Sequence, residues 1–148
     1  MHLDRYIFVV EDNKYEFLSR GPRGNIKKVV LYDVISEEQP FLYNLSFGDW
    51  NEKQKRIDDL IVTNNGDAQK VLATVAATVL HFTTAFPQAF IFLMGSTASR
   101  TRLYQMGISA YLGLILANFE VEGFIRNKWE SFQPRCNYRA FLLKPKKL

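Results

Sequence analysis

Cysteine is almost missing from this chain: 148 residues contain Cys136 and no other. An internal disulfide framework is therefore excluded, as are metal sites built from paired cysteines, and a reducing cytoplasm is the expected location. No run approaches the roughly 20 apolar residues that a membrane span needs, so a membrane is not an expected partner. The opening MHLDRYIFVV lacks the long apolar core and small-residue cleavage site of a secretory signal. Internal repeats, low-complexity tracts and composition breaks that would mark a domain boundary are absent too.

What is present suits one folded unit. A hydrophobic share of 47% in a chain of this length can bury a core without staples, and a single domain over residues 1–148 is expected. The aromatic share of 14%, with 12 Phe and 7 Tyr, suits β-rich packing or a stacking surface. The net charge of +4 is unevenly spread: through Ala98 there are 10 Lys+Arg against 12 Asp+Glu, and from Ser99 onward 9 against 3. The last third is thus the basic part, which favours a polyanionic partner.

Read in order, Tyr6–Val10 and Tyr15–Leu18 are short strands around a polar break. Arg20-Gly21-Pro22-Arg23-Gly24-Asn25 is turn chemistry, joining the second strand to Ile26–Ile35 in a hairpin with a basic tip. Phe41, Tyr43, Leu45 and Phe47 alternate along a strand, and Asp59–Thr63 predicts another. After Asn64-Asn65-Gly66, where Asn65 or Asp67 would cap, the period becomes helical from Asp67 to Phe86, with Val71, Leu72, Val75, Val79, Phe82 and Phe86 on one face. His81 projects away from that face, toward solvent. Ala89–Met94 predicts a strand and Thr97–Met106 a helix capped by Gly107. A short helix near Ser109, closing strands at Phe119–Ile125 and Tyr138–Leu143, a connection at Asn127–Asn137 and a frayed Lys144–Lys147 tail complete the chain. The expected class is α+β: a curved antiparallel sheet of hairpins packed against one long helix and a second strand–helix unit.

Three stretches, GPRGNIKKVV, DDLIVTNNGDAQKVLATVA and GSTASRTRLYQMGIS, resemble a family of small bacterial proteins of unknown function common in the Bacteroidota, across nearly the whole chain. That resemblance implies a bacterial cytoplasmic protein. YEFLSRGPRGNIKKVV is also similar to the opening hairpin of purine-rich-element-binding domains, which implies a sheet presented to single-stranded nucleic acid. The first 86 residues fit the four-strands-then-helix order of those domains.

Two constellations carry the functional expectation. Around the strand-to-helix turn, Gly95, Ser96, Thr97 and Ser99 offer a helix start whose N–H groups are unpaired, with Arg100 and Arg102 beside it, an anion or phosphate cradle. It is not a P-loop, since no Gly-Lys-Ser/Thr follows. Along the hairpin, Arg20, Arg23, Lys27 and Lys28 would track phosphates while Tyr15, Tyr32 or Tyr43 stack on bases. Metal-dependent chemistry is not expected, because Asp58–Asp59 and Glu120–Glu122 each lack a third carboxylate nearby; no cofactor is expected. Cys136 with His81 would need a proximity that spacing does not show. The leading expectation is a non-enzymatic module for single-stranded DNA or RNA or a phosphate-bearing ligand. The alternatives are a small, toxin-like enzyme acting on RNA or a nucleotide, and a module that dimerises through exposed sheet edges.

Overall fold

The computed structural model describes residues 4–58 and 62–146. Its longest signal is the hairpin. Strand β2 (Lys14–Gly21) pairs antiparallel with β3 (Gly24–Ser36) from Lys14↔Leu31 to Gly21↔Gly24, leaving Pro22-Arg23 as the turn, and Gly24 takes the left-handed φ of +86° that closes it. A short β1 (Val9–Glu11) lies outside β2, and β4 (Leu42–Asn51) lies on the other side of β3, bearing the two-residue β5 (Arg56–Ile57).

The chain then enters α1 (Ala68–Ala85) and returns as β6 (Phe90–Leu93), parallel to β4, a connection that requires the intervening crossover. Helices α2 (Ala98–Ala110) and α3 (Leu112–Asn118) follow, then β7 (Phe119–Ile125), β8 (Lys128–Ser131) and β9 (Ala140–Pro145). The sheet order is β1-β2-β3-β4-β6-β9-β7-β8 with β5 on β4: nine strands among the described residues, mostly antiparallel and unclosed. Three helices accompany it among the described residues, α1 being the longest at 18 residues. The core forms where the sheet faces the helices: Tyr15, Phe17, Val30, Tyr32, Leu45 and Phe47 from the first strands meet Val79 and Phe82 of α1 and Tyr104 and Ile108 of α2.

Several boundaries differ from the periodicity, each for a local reason. Of the expected first strand Tyr6–Val10 only Val9 and Val10 join the ladder, which runs on to Glu11, because Tyr6 is drawn to α1: its N–H donates to Thr74 Oγ1 at 2.9 Å. The expected strand at Asp59–Thr63 lies largely outside the described residues, and Val62 and Thr63 are irregular. Gly107 does not end α2; a Cβ there would sit 3.3 Å from Leu72 Cδ2, so the glycine serves close approach to α1. The expected Asn127–Asn137 connection contains β8, turned by Arg126 and Asn127 at φ of 51° and 63°. Lys144 and Pro145 belong to β9, with Lys144 Nζ 3.0 Å from Glu122.

Candidate functional site

The strand-to-helix turn forms as its residues dictate. Thr97 is extended and its hydroxyl accepts from Arg100 N–H at 3.1 Å, the hydroxyl cap of α2. Gly95 N–H donates to Thr101 Oγ1 at 3.0 Å, and a Cβ on Gly95 would lie 2.4 Å from Thr101 N. Only glycine lets the backbone pass so close.

The six residues of the expected cradle nevertheless divide between two clefts. Gly95, Ser96, Thr97 and the exposed Arg102 line an open cleft of about 610 Å³, faced by Arg139. Arg102 and Arg139 have no ion-pair partner among the described residues, so both guanidinium groups face solvent with their charge uncompensated. Ser99 and Arg100 line a second pocket on the other side of α2, which Thr97 also borders. Arg100 is buried and donates to the carbonyls of Phe47, at 3.3 Å, and Asp58. Its guanidinium holds α2 to β4.

The hairpin is rearranged more sharply. Tyr15 and Tyr32 are 2% and 0% exposed, so their rings face α1 and cannot stack on bases. Tyr15 Oη shares a 2.7 Å hydrogen bond with His81 Nδ1, and Tyr32 stacks on Phe82 with centroids 4.2 Å apart and shares a hydrogen bond with Thr78. Burial pushes the Tyr15 phenol up to about 12 and raises that of Tyr32 as well. Lys28 is also interior: its ammonium is 2.5 Å from Asp49 Oδ1 and donates to Thr63 O at 2.8 Å. The cause is register. Lys28 stands opposite Phe17 and in phase with Val30 and Tyr32, all on the helix side. A period of two applied to β3 would have placed it inside. Arg23 remains exposed at the turn, its N–H on Asn65 Oδ1 at 2.8 Å. Tyr43, the third ring considered, is half-buried against Phe82 and Phe86.

Arg20 and Lys27 keep the expected outward position and meet partners that the sequence reading did not include. Together with Arg5, Tyr6 and Lys70 they line a groove of about 640 Å³ at the start of β1, where the β2 edge beyond Glu16 opens. Glu16 is the one carboxylate in its described lining, 3.8 Å from Lys27. Lys27 also reaches Glu52 at 3.6 Å, near the weak limit of an ion pair. Tyr6 forms a wall: Lys70 Nζ lies 4.5 Å from its ring centroid, and its hydroxyl accepts from Arg20 N–H at 3.0 Å while donating to Asp67 Oδ2 at 2.6 Å. Burial, partly offset by the Arg20 carbonyl and reinforced by Asp67, holds the Tyr6 phenol above its ordinary value. Arg5 and Lys70 lie 15 and 50 residues from Arg20, which is why no local spacing signals the cluster.

Among the described residues no three His, Cys, Asp or Glu side chains are grouped to hold a metal ion, and no helix is long and apolar enough to cross a membrane. Asp59 of the Asp58–Asp59 pair lies outside the described residues. A family model described as "Family of unknown function (DUF6934)" matches residues 2–146. No curated protein and no solved structure matches the chain.

Proposed function

The chain belongs to that family of unknown function, and from the geometry of the β2 edge we propose that it is a non-enzymatic module that binds single-stranded nucleic acid. The observation that carries this reading is the gathering of Arg5, Arg20, Lys27 and Lys70 around one groove with a single carboxylate and the ring of Tyr6 in its wall. Cations along a groove neutralise successive phosphates and release counterions, and the ring of Tyr6, packed against Phe17 with the Lys70 ammonium over it, lends the groove an aromatic wall. The open cleft at the start of α2, with Arg102 and Arg139, supports a second contact of the same chemistry for a phosphate group. A cytoplasmic location accords with the lone Cys136.

Fluorescence anisotropy of labelled single-stranded DNA and RNA at several salt concentrations tests the proposal. Binding should weaken steeply with salt, and Arg20→Gln with Lys70→Gln should lower the slope of log affinity against log salt by roughly one for each phosphate contact removed. Oligonucleotides that give no signal at low salt, or an unchanged slope in the double variant, would overturn it.

A further inference from the structure

A pocket of about 330 Å³ lies between α1, the start of α2 and the β3–β4 pair, apart from the β2-edge groove. Its two walls differ in kind. One is apolar, made by Phe47, Val71, Leu72, Leu103 and Met106; the other carries Lys28, Arg100, Thr97 and Ser99. We infer that this pocket binds a small amphipathic molecule with an anionic head, its apolar body against Leu72, Leu103 and Met106 and its head at Lys28 and the start of α2.

Lys28 is the strongest support. A lysine that is 1% exposed is rare unless paired, and its ammonium carries three N–H groups. Asp49 Oδ1 and Thr63 O take two of them, which leaves one for a ligand oxygen in the pocket that Lys28 borders. The Thr97 hydroxyl accepts from Arg100 N–H and so keeps its own proton to donate. Asp67 is the one carboxylate in the described lining, and its Oδ2 already receives the hydroxyls of Tyr6 and Ser19 at 2.6 Å each. The third N–H of Lys28 and the Thr97 hydroxyl are thus two donors at the polar part of the lining, which suits an acceptor head. A small apolar void lined by Leu45, Val75, Val79 and Ile108 adjoins the pocket through Phe47, Leu72 and Leu103, which border both spaces, so the apolar end has room to extend. The volume falls within the range of ordinary small-molecule sites.

Titration with octanoate, octanol and octylamine, read by calorimetry and by the thermal midpoint, tests the inference. Octanoate should bind and raise the midpoint, with octanol about tenfold weaker, as the loss of a charge-assisted hydrogen bond implies. Lys28→Met should remove that preference. Because this variant leaves Asp49 without its cation, Met106→Trp supplies an independent arm: an indole in place of a half-exposed methionine fills the pocket mouth. It should weaken octanoate about tenfold or more, with the unliganded midpoint and the salt-dependent oligonucleotide titration of the groove unchanged. Octanol or octylamine binding as tightly as octanoate, octanoate affinity unaltered in Met106→Trp, or no binding of any of the three would overturn the inference. An oligonucleotide titration that fails while octanoate binds removes the nucleic-acid reading and leaves this one standing.

Discussion

The Tyr6 hydroxyl donates to Asp67 Oδ2 at 2.6 Å across 61 residues of sequence, and Ser19 Oγ donates to the same oxygen. One carboxylate therefore ties the N-terminal segment and the open end of β2 to the start of α1. Asp67 stands at the N-cap position of α1 yet makes no side-chain capping bond: its φ of −127° and ψ of 28° lie outside the extended region a capping residue adopts, and its Oδ2 is turned to these hydroxyls. Asp67→Ala removes the acceptor for both and should cost about 2–3 kcal/mol in denaturant unfolding, the penalty of stranded polar groups. Tyr6→Phe should cost about 1 kcal/mol and also weaken oligonucleotide binding, since it frees the groove wall while leaving every cation in place. Unaltered binding in Tyr6→Phe would show that the wall plays no part in the groove.

Lys28 and Asp49 form the interior ion pair, and Asp49 Oδ2 also accepts from Thr63 N–H at 3.1 Å. Removing one partner strands the other charge in a low-dielectric setting, whereas removing both replaces it with apolar packing. Asp49→Ala should therefore destabilise by about 3–5 kcal/mol, and Lys28→Met with Asp49→Leu by clearly less. A double-mutant cycle on chemical denaturation measures the difference. Additive single-variant costs would show that the ion pair contributes nothing beyond its separate residues.

How much of this was readable in advance follows from which interactions are local. The Pro22-Arg23 turn, the alternation of β4, the helical face of α1 from Val71 to Phe82 and β7 are set by neighbours in sequence, and pattern reading found each, whereas Phe86, expected on that face, lies past the end of α1 and is exposed. The site residues depended on tertiary register. Lys27 and Lys28 look alike in the sequence, but the pairing Lys28↔Phe17 sends one to the interior and leaves the other outside. Arg100 and Arg102 likewise part because two residues along a helix differ by about 200° in direction, so one faces β4 and the other the open cleft. Arg5, Lys70 and Arg139 came into their clefts from distant segments that no spacing rule connects.

That division of the arginines can be measured. Arg100→Ala leaves the carbonyls of Phe47 and Asp58 without a donor they now have, and a thermal or denaturant midpoint should fall by the equivalent of about 2–3 kcal/mol. Arg102→Ala touches no such bond and should stay within about 0.5 kcal/mol of the parent. In titrations with inorganic phosphate or a short oligonucleotide, Arg102→Ala with Arg139→Ala should weaken binding at low salt with the fold intact. Equal stability losses in Arg100→Ala and Arg102→Ala would contradict the assignment of Arg100 to structure.

The buried phenols set the alkaline limit of the fold. Tyr15 is pushed up from the ordinary 10.0 to about 12 by burial, and burial raises Tyr32 further, against the hydrogen bond it shares with Thr78. A raised phenol pKa means that the native state holds the neutral form, so the stabilisation is intact below pH 10 and is lost as pH climbs from 10 through about 12. Denaturant midpoints should accordingly be flat with respect to these two groups below pH 10 and fall across that window. Tyr15→Phe keeps the ring against Phe8 and Tyr32 but removes one titrating group and the bond to His81. Its midpoint should start about 1 kcal/mol lower at neutral pH and then decline less steeply from pH 10 to about 12. Ultraviolet difference absorbance on the same samples reports when the phenols ionise. An early, freely reversible ionisation of Tyr15 with no loss of midpoint would mean that its hydroxyl is open to solvent, contrary to its place beneath α1.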